Sequence, residues 1–198
     1  MGRYIGPKSR INRREDAQVL GTSEKWRARN STPGAHGRTK RLSEYGVQFR
    51  EKQKVKRMYG MLEAQFRKFF NTARKSTGNT GTRLLQLLEL RVDNVFYKLG
   101  YADTRAQARQ VVAHGHVLVN GKKHNIPSAI LKVGDEIKIK PSFAKGALIK
   151  QMDSETKAAK TPAWLERYSD GGKVLAEPTR DLLDQSIKER LIIELYSK

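Results

Sequence analysis

The sequence has 198 residues and not one cysteine. Disulfides, thiolate-bound metals and cysteine nucleophiles are therefore excluded. No apolar run is long enough to cross a bilayer, and residues 1–6 lack the apolar core of a secretory signal peptide. These absences favour a cytoplasmic protein with no membrane partner.

Acidic side chains are scarce relative to basic ones. The chain has 40 Lys and Arg against 20 Asp and Glu, a net charge of +20, which far exceeds what solubility requires. Residues 1–88 hold 21 basic and 6 acidic side chains, a net +15, and the remaining residues hold 19 and 14, a net +5. This charge predicts a polyanionic partner, with nucleic acid favoured over an acidic membrane surface.

Groups suited to catalysis or metal binding are also few. His114 and His116 are close in sequence but have no acidic metal ligand nearby, and no serine or threonine has an evident partner base. We therefore expect neither an enzyme nor a histidine metal site. Two alternatives stay open: an RNA-modifying enzyme with a separate catalytic domain, and a binder of membrane surfaces or polyanions in general.

Residues 104–121 form the most informative segment. Thr104 can cap a helix while Gln107 reaches back, Gly115 suits the left-handed position after the helix, and Asn120-Gly121 is a typical hairpin turn. The segment therefore predicts a capped helix, a strand and a tight turn.

Two arginines of this helix, Arg105 and Arg109, lie one turn apart and largely off its apolar stripe, with no acid nearby in the sequence. Like charges at this spacing destabilise an isolated helix. We expect both to face an anion such as a phosphate backbone, although a solvated basic face would have the same pattern.

A helical region is predicted to begin at Ser43, which is a good N-cap residue. It carries more lysines and arginines than Glu51 alone can pair, which favours contact with an anion. Apolar and aromatic side chains recur at helical spacing over 58–73. We interpret them as core rather than as a platform for base stacking.

Residues 78–81, Gly-Asn-Thr-Gly, separate this region from a second helix that ends at Gly100. We interpret them as a turn, and the alternative is that the first N–H groups of the second helix hold one RNA phosphate. The apolar positions indicate one continuous helix up to Gly100, on which Arg91 and Asp93 would not face each other.

The C-terminal third gives weaker patterns. Residues 136–140 alternate as a half-buried strand, residues 143–159 are predicted to be helical and basic, and residues 164–175 indicate a hairpin. Residues 183–188 are predicted to form a short helix, and residues 190–196 a buried terminal strand.

Several motifs occur together along the chain. They are Gly2-Arg3-Tyr4, Arg13-Arg14, Pro33-Gly34-Ala35-His36-Gly37, Tyr45-Gly46-Val47-Gln48, Arg91-Val92-Asp93-Asn94-Val95, the segment from Thr104 to Gly121, and Leu195-Tyr196-Ser197-Lys198. In this combination the chain resembles, over nearly its whole length, the family of bacterial small-subunit ribosomal proteins number four, which founded the S-four RNA-binding domain.

The resemblance implies a structural role without enzymatic activity. It implies direct binding of small-subunit ribosomal RNA, an early nucleating role in assembly of the subunit, and a cytoplasmic, ribosome-bound location. It further implies a position near the channel through which mRNA enters, beside ribosomal protein five of the same subunit, and support of translational accuracy.

Patterns and resemblance together predict an α+β fold in three parts. A basic extended N-terminal arm is expected over 1–42, and a mainly helical domain with C-terminal strands over 43–90 and 141–198. A small α/β RNA-binding module, the S-four domain, is inserted at 91–140. The arm has few apolar side chains, so it is expected either to be disordered when free or to order against RNA.

The residues expected to contact RNA are mostly basic, with a few polar and aromatic neighbours. They are Arg3, Tyr4, Arg13, Arg14, His36, Arg38, Lys40, Arg41, Arg50, Lys54, Arg57, Thr104, Arg105, Gln107, Arg109, His114, His116, Asn120 and Lys122. Among these, the resemblance places Arg38, Lys40 and Arg41 near entering mRNA.

Many members of the family that the chain resembles hold a cysteine-bound zinc in the arm. Here Ser9 and Asn12 stand at the first two ligand positions, and no cysteine follows. We therefore expect no zinc and no other cofactor, with the arm held by Ile11, Leu20, Trp26 and the RNA itself.

Overall fold

A computed structural model of the protein describes residue 4 and residues 6–21, 31–34, 41–144 and 161–197. The chain divides into two compact units, one formed by residues 1–84 and 185–198 and the other by residues 85–184. None of the helices in the described part of the chain is long and apolar enough to span a bilayer.

Helices predominate in the first unit, and the second combines helices with a sheet. The helices are α1 (Lys8–Glu15), α2 (Glu44–Met58), α3 (Glu63–Lys75), α4 (Thr80–Glu89), α5 (Val92–Lys98), α6 (Arg105–Ala113), α7 (Pro141–Ala144) and α8 (Glu189–Ser197), and a 3₁₀ turn spans Arg180–Leu182. The strands are β1 (Val117–Val119), β2 (Lys122–His124), β3 (Glu136–Ile139), β4 (Leu165–Arg167) and β5 (Gly171–Val174). The predicted α+β fold is confirmed.

The first unit is built on α2, α3 and α8. The Ser43 Oγ accepts the Gly46 N–H at 3.2 Å, which confirms the predicted N-cap of α2. Phe66 and Phe70 are fully buried, and the ring of Tyr196 stacks on Phe70 with centroids 4.5 Å apart. The interpretation of these aromatics as core is confirmed.

The last element is a helix, so the predicted terminal strand is wrong. On α8 Ile192 is fully buried whereas the Arg190 side chain is 91 % exposed, a one-sided pattern that a short apolar run does not reveal by itself. Gln48 on α2 donates from its amide Nε2 to Glu194 at 3.2 Å. The short helix predicted over 183–188 is also wrong, since these residues connect the 3₁₀ turn to α8 and contain no helix themselves.

The predicted helix ending at Gly100 is in fact two helices, α4 and α5. Arg91 leaves the helical conformation, with φ −65° and ψ 139°, and becomes the N-cap of α5. The Leu90 carbonyl accepts the Leu131 N–H, and the Val92 N–H donates to Ala129, both at 2.9 Å. These contacts to residues about 40 positions away, which no local pattern contains, interrupt the helix.

The second unit contains a five-stranded antiparallel sheet in the order β2-β1-β3-β5-β4. The turn between β1 and β2 has positive φ at Asn120 (49°) and Gly121 (77°), which confirms the predicted tight turn. Side chains of α5, α6 and the sheet form one apolar core that includes Phe96, Val112 and Trp164.

The hairpin predicted over 164–175 is confirmed as β4 and β5, but its strands belong to this sheet. β5 lies beside β3 so closely that a Cβ on Gly171 would overlap the Ile137 carbonyl, so glycine is needed inside the strand rather than in the turn. The compact units therefore differ from the predicted division at 91 and 141, because the hairpin completes the sheet of the module. Of the predicted helix over 143–159, residues 145–159 lie outside the described residues.

Candidate nucleic-acid interface

The predicted cap of α6 is present. The Gln107 N–H donates to Thr104 Oγ1 at 3.2 Å, and the Gln107 side-chain oxygen accepts the Asp103 N–H at 2.9 Å. His114 ends the helix and Gly115 follows with φ 71°, as predicted. Thr104 and Gln107, both predicted to contact RNA, thus form the helix start.

Arg109 does not lie on an exposed basic face. It is 7 % exposed, and its Nη1 lies 3.1 Å from Asp93 Oδ2. The same carboxylate oxygen accepts Arg91 Nη2 at 2.5 Å, and Arg91 and Asp93 are also buried. The expectation that no acid accompanies Arg109 is wrong, and so is the expectation that Arg91 and Asp93 do not meet, because Arg91 is an extended N-cap rather than a helical residue.

Arg105 is half-buried, and its position is fixed by two neighbours. Its Nε donates to Asn94 Oδ1 at 2.8 Å, and its guanidinium carbon lies 4.9 Å from the centre of the Tyr97 ring. Asn94 is itself held, since its Nδ2 donates to Glu89 Oε2 at 2.7 Å and to the Glu89 carbonyl at 2.9 Å. The arginine is therefore oriented by α4 and α5.

The predicted histidines lie beside lysines at the end of α6. The His116 ring stacks on Phe143 at 4.2 Å and 9°, and His114 meets it edge-on at 6.0 Å. Burial, and then the charges of His114, Lys140 and Lys123, lower the pKa of His116. His116 is thus a neutral, stacked ring at pH 7, and cations surround it.

The two residues of the β1–β2 hairpin that were expected to contact RNA, Asn120 and Lys122, have different surroundings. Asn120 is used within the protein, since its Nδ2 donates to Asp135 Oδ1 and its Oδ1 accepts the Glu136 N–H, both at 2.9 Å. Lys122 and the adjacent Lys123 are exposed on β2. Lys123 also lies directly over Gly115, where an added Cβ would meet its Cε, so this side chain is close to the histidines.

In the first unit, the basic residues of α2 contact protein groups. Arg57 and Arg50 both donate to Glu15, whose side chain is 1 % exposed; the Arg50 contact is 3.4 Å. Burial raises the pKa of Glu15, against the opposing effect of Arg57, Arg50 and Arg14. Lys54 donates to the Ser186 carbonyl at 2.6 Å.

Glu63 at the start of α3 pairs with two further lysines of α2. It accepts Lys52 Nζ at 2.7 Å, Lys56 Nζ at 3.0 Å and the Tyr196 hydroxyl at 2.9 Å. Burial acts to raise its pKa, but these hydrogen bonds prevail and lower the pKa of Glu63 to about 2. The α2 cations do exceed what Glu51 alone can pair, and acids distant in sequence, Glu15 and Glu63, supply further partners.

The alternative of a phosphate at the start of α4 is not supported by the geometry. Asn79 Oδ1 accepts the Gly81 N–H at 2.8 Å and the Thr82 N–H at 3.4 Å. A side chain of the protein thus occupies the position that a phosphate oxygen would take, and the interpretation of residues 78–81 as a turn is favoured.

Asn12 organises the turn after α1. It is fully buried, and its Oδ1 accepts the N–H groups of Val19 at 3.1 Å and Leu20 at 3.0 Å. This oxygen is already used twice, and an amide and a serine hydroxyl at position 9 are poor ligands for zinc. Within the described ranges no group of three or more histidines and carboxylates is placed so that it could hold a metal ion.

The remaining predicted contacts are exposed or lie outside the described residues. Tyr4 is 54 % exposed and donates from its hydroxyl to the Pro7 carbonyl at 3.1 Å. Arg14 and Arg41 are exposed and Arg13 is half-buried. The predicted residues outside the described ranges are Arg3, His36, Arg38 and Lys40, together with Trp26 of the predicted arm core.

Sequence reasoning missed the residues that position the others. The sequence does not assign this role to Asp93, Asn94 or Asn12, because each acts through partners that the fold brings close.

Two family models together match the first two thirds of the chain. Residues 3–89 match the ribosomal protein S4/S9 N-terminal domain, and residues 90–137 match the S4 domain. Arg105, Arg109, His114, His116 and Lys123 therefore lie within the S4 domain match, and Lys140 lies three residues beyond its end.

Similarity to curated proteins extends over the full length. The chain is 47 % identical to a protein of Herpetosiphon aurantiacus, 46 % to one of Caldicellulosiruptor saccharolyticus and 48 % to one of a Sulfurihydrogenibium species, with 100 % of each chain covered. All three are called small ribosomal subunit protein uS4. The expectation of a non-enzymatic ribosomal protein is confirmed, and the chain belongs to the ribosomal protein S4 family.

Proposed function

We propose that this protein is a constituent of the small ribosomal subunit and binds its ribosomal RNA directly. The observation that carries the proposal is a group of lysines and histidines at the end of α6 and on the sheet beside it, here called the hairpin cluster: Lys122, Lys123 and Lys140 with His114 and His116. Lys122, Lys123 and Lys140 are exposed. Lys123 lies over Gly115, and the Lys140 N–H donates to the His116 carbonyl at 2.9 Å, so like charges lie close together here and repel one another. An RNA backbone relieves that repulsion by bringing negative charge to the same place.

Arg105 extends this contact along α6. A guanidinium that is already held by Asn94 and Tyr97 loses little conformational freedom when a phosphate approaches. Phosphate contacts of this kind set position rather than read sequence. Recognition by backbone, 2′-hydroxyls and helix shape is therefore the proposed mode.

The test compares two variants that lose the same charge. In Lys122→Gln/Lys123→Gln/Lys140→Gln the hairpin cluster is neutralised, and in Lys132→Gln/Lys173→Gln/Lys188→Gln three exposed lysines elsewhere are neutralised. Binding to a small-subunit ribosomal RNA transcript is measured over a salt series. We expect the first variant to bind roughly 10–100-fold more weakly, with a salt slope smaller by about 3.

The matched variant should keep the affinity of the unmodified protein. Equal losses in both variants would show that net charge alone drives binding, as in a general polyanion binder. Equal affinity of the unmodified protein for heparin, DNA and ribosomal RNA would also identify a general polyanion binder.

The full-length similarity to proteins called uS4 supports finer proposals. These are an early nucleating role in subunit assembly, a place near the channel through which mRNA enters, contact with ribosomal protein five, support of translational accuracy, and a cytoplasmic location. Assembly of small subunits from purified components, with this protein added first or last, tests the nucleating role. Late addition should yield fewer complete particles if the role is correct.

A further inference from the structure

The outer face of α3 carries basic charge that the protein does not neutralise. Arg67, Lys68, Arg74 and Lys75 are exposed and project on the side of the helix opposite the buried Phe66, Phe70 and Ala73. No carboxylate in the described part of the chain forms an ion pair with any of the four. The acid of this helix, Glu63, is already bonded by Lys52 and Lys56.

This face differs from α2, where the cations are equally dense. On α2, Arg50, Lys52, Lys56 and Arg57 all pair with Glu15 or Glu63. Carboxylates of the first unit therefore neutralise the basic charge of α2 but not that of α3. Because unbalanced charge of one sign on a helix is destabilising, the α3 face gains from an anionic partner.

The chemistry of the face favours RNA over a protein partner. Asn71 and Thr72 lie between the two cation pairs and are exposed, so the face offers guanidinium, ammonium, amide and hydroxyl groups. These are the groups that contact phosphate and sugar oxygens. The centre of a protein interface would instead need apolar or aromatic side chains and few lysines, and between residues 64 and 75 this face has none larger than Ala64.

The spacing suits an extended backbone rather than a single anion. Arg67 and Arg74 are seven residues apart, which is about 10 Å along the helix axis. One phosphate cannot bridge that distance, whereas a nucleic-acid strand presents several phosphates along it. We propose that the outer face of α3 is a second contact surface for the backbone of ribosomal RNA, separate from the hairpin cluster. This inference rests on the proposed function.

A four-residue variant tests the surface. Arg67→Gln/Lys68→Gln/Arg74→Gln/Lys75→Gln is compared with Lys132→Gln/Lys173→Gln/Lys188→Gln/Arg190→Gln, which removes the same charge from exposed positions elsewhere. Both are measured on the full-length protein with the same ribosomal RNA transcript over a salt series. The α3 variant should bind roughly 10–100-fold more weakly, and its salt slope should fall by about 4, one for each lost phosphate contact.

The outcomes separate the inference from the proposed function. If the unmodified protein does not bind the transcript, the proposed function falls. If it binds and the hairpin-cluster variant is weakened while the α3 variant is not, the proposed function stands and the α3 surface is overturned.

A second measurement does not depend on affinity. Asn71, at the centre of the face, is replaced by the photo-crosslinking residue p-benzoylphenylalanine, and the protein is irradiated within small subunits. Crosslinks to ribosomal RNA are expected. Crosslinks to protein alone would mean that the face docks an acidic protein surface, and the proposal would be wrong.

Discussion

At the scale of single residues, Asp93 holds the S4 domain together by receiving two arginines. Its Oδ2 accepts Arg91 and Arg109, one from the start of α5 and one from α6. Loss of the carboxylate would leave two buried guanidinium groups without it. We expect Asp93→Ala to lower the free energy of unfolding by about 3–5 kcal/mol, measured by urea denaturation followed by circular dichroism.

Arg109→Met serves as the companion variant, because methionine keeps part of the side-chain volume and Asp93 retains Arg91. Its loss should be about 1–3 kcal/mol, and the folded variant should bind ribosomal RNA with unchanged affinity. Weaker RNA binding at full stability would show instead that Arg109 contacts RNA. An Asp93→Ala protein as stable as the unmodified one would refute the structural role of the carboxylate.

The positions of these arginines show which contacts the sequence alone can predict and which it cannot. The cap by Thr104, the left-handed Gly115 and the Asn120-Gly121 turn depend on neighbours within a few positions, so the sequence predicts them. The partner of Arg109 is 16 residues away and lies in another helix. A count of nearby acids cannot detect such a partner, and charge density alone therefore overstates exposure.

At the scale of elements, Asn12 joins α1 to the turn that follows it. Its Oδ1 accepts the Val19 and Leu20 N–H groups, and removing the oxygen leaves buried donors unsatisfied. We expect Asn12→Ala to cost about 1–3 kcal/mol and to speed hydrogen exchange at residues 17–20. Amide exchange measured by mass spectrometry or NMR checks the result.

The control is Ser9→Ala, because Ser9 is half-buried and stands at the other expected ligand position. A change within about 0.5 kcal/mol is expected there. A metal chelator should leave the Tm of the unmodified protein unchanged. A Tm that falls with chelator and recovers with added zinc would show that a metal site exists after all.

The elements that were mispredicted share one physical cause. The break between α4 and α5 is set by hydrogen bonds from Leu90 and Val92 to residues 129–131. The terminal segment is helical because Ile192 is buried, the helix packs against α2, and the half-buried Tyr196 stacks on Phe70 and donates to Glu63 of α3. Its apolar run alone also fits a strand. In both cases tertiary contacts override a short local pattern, and the longer amphipathic helices were predicted because their patterns need no such partner.

At the scale of the whole molecule, net charge predicts the class of partner but not the surface that meets it. The excess of +20 correctly indicates a protein of a ribonucleoprotein family. Two basic helices of the first unit nevertheless differ, because α2 pairs its cations with Glu15 and Glu63 while α3 does not. Only the folded arrangement of the acids decides which basic segment remains available.

The same charge leads to a prediction for the intact protein in solution. If the hairpin cluster, Arg105 and the α3 face together engage about 6–10 phosphates, affinity for ribosomal RNA should fall roughly 10³–10⁵-fold between 50 and 200 mM salt, by the relation known for duplex DNA. Filter binding over that salt range measures the slope. A fall of less than about tenfold corresponds to about two phosphates, too few for two separate surfaces, and would show that at least one of them does not touch RNA.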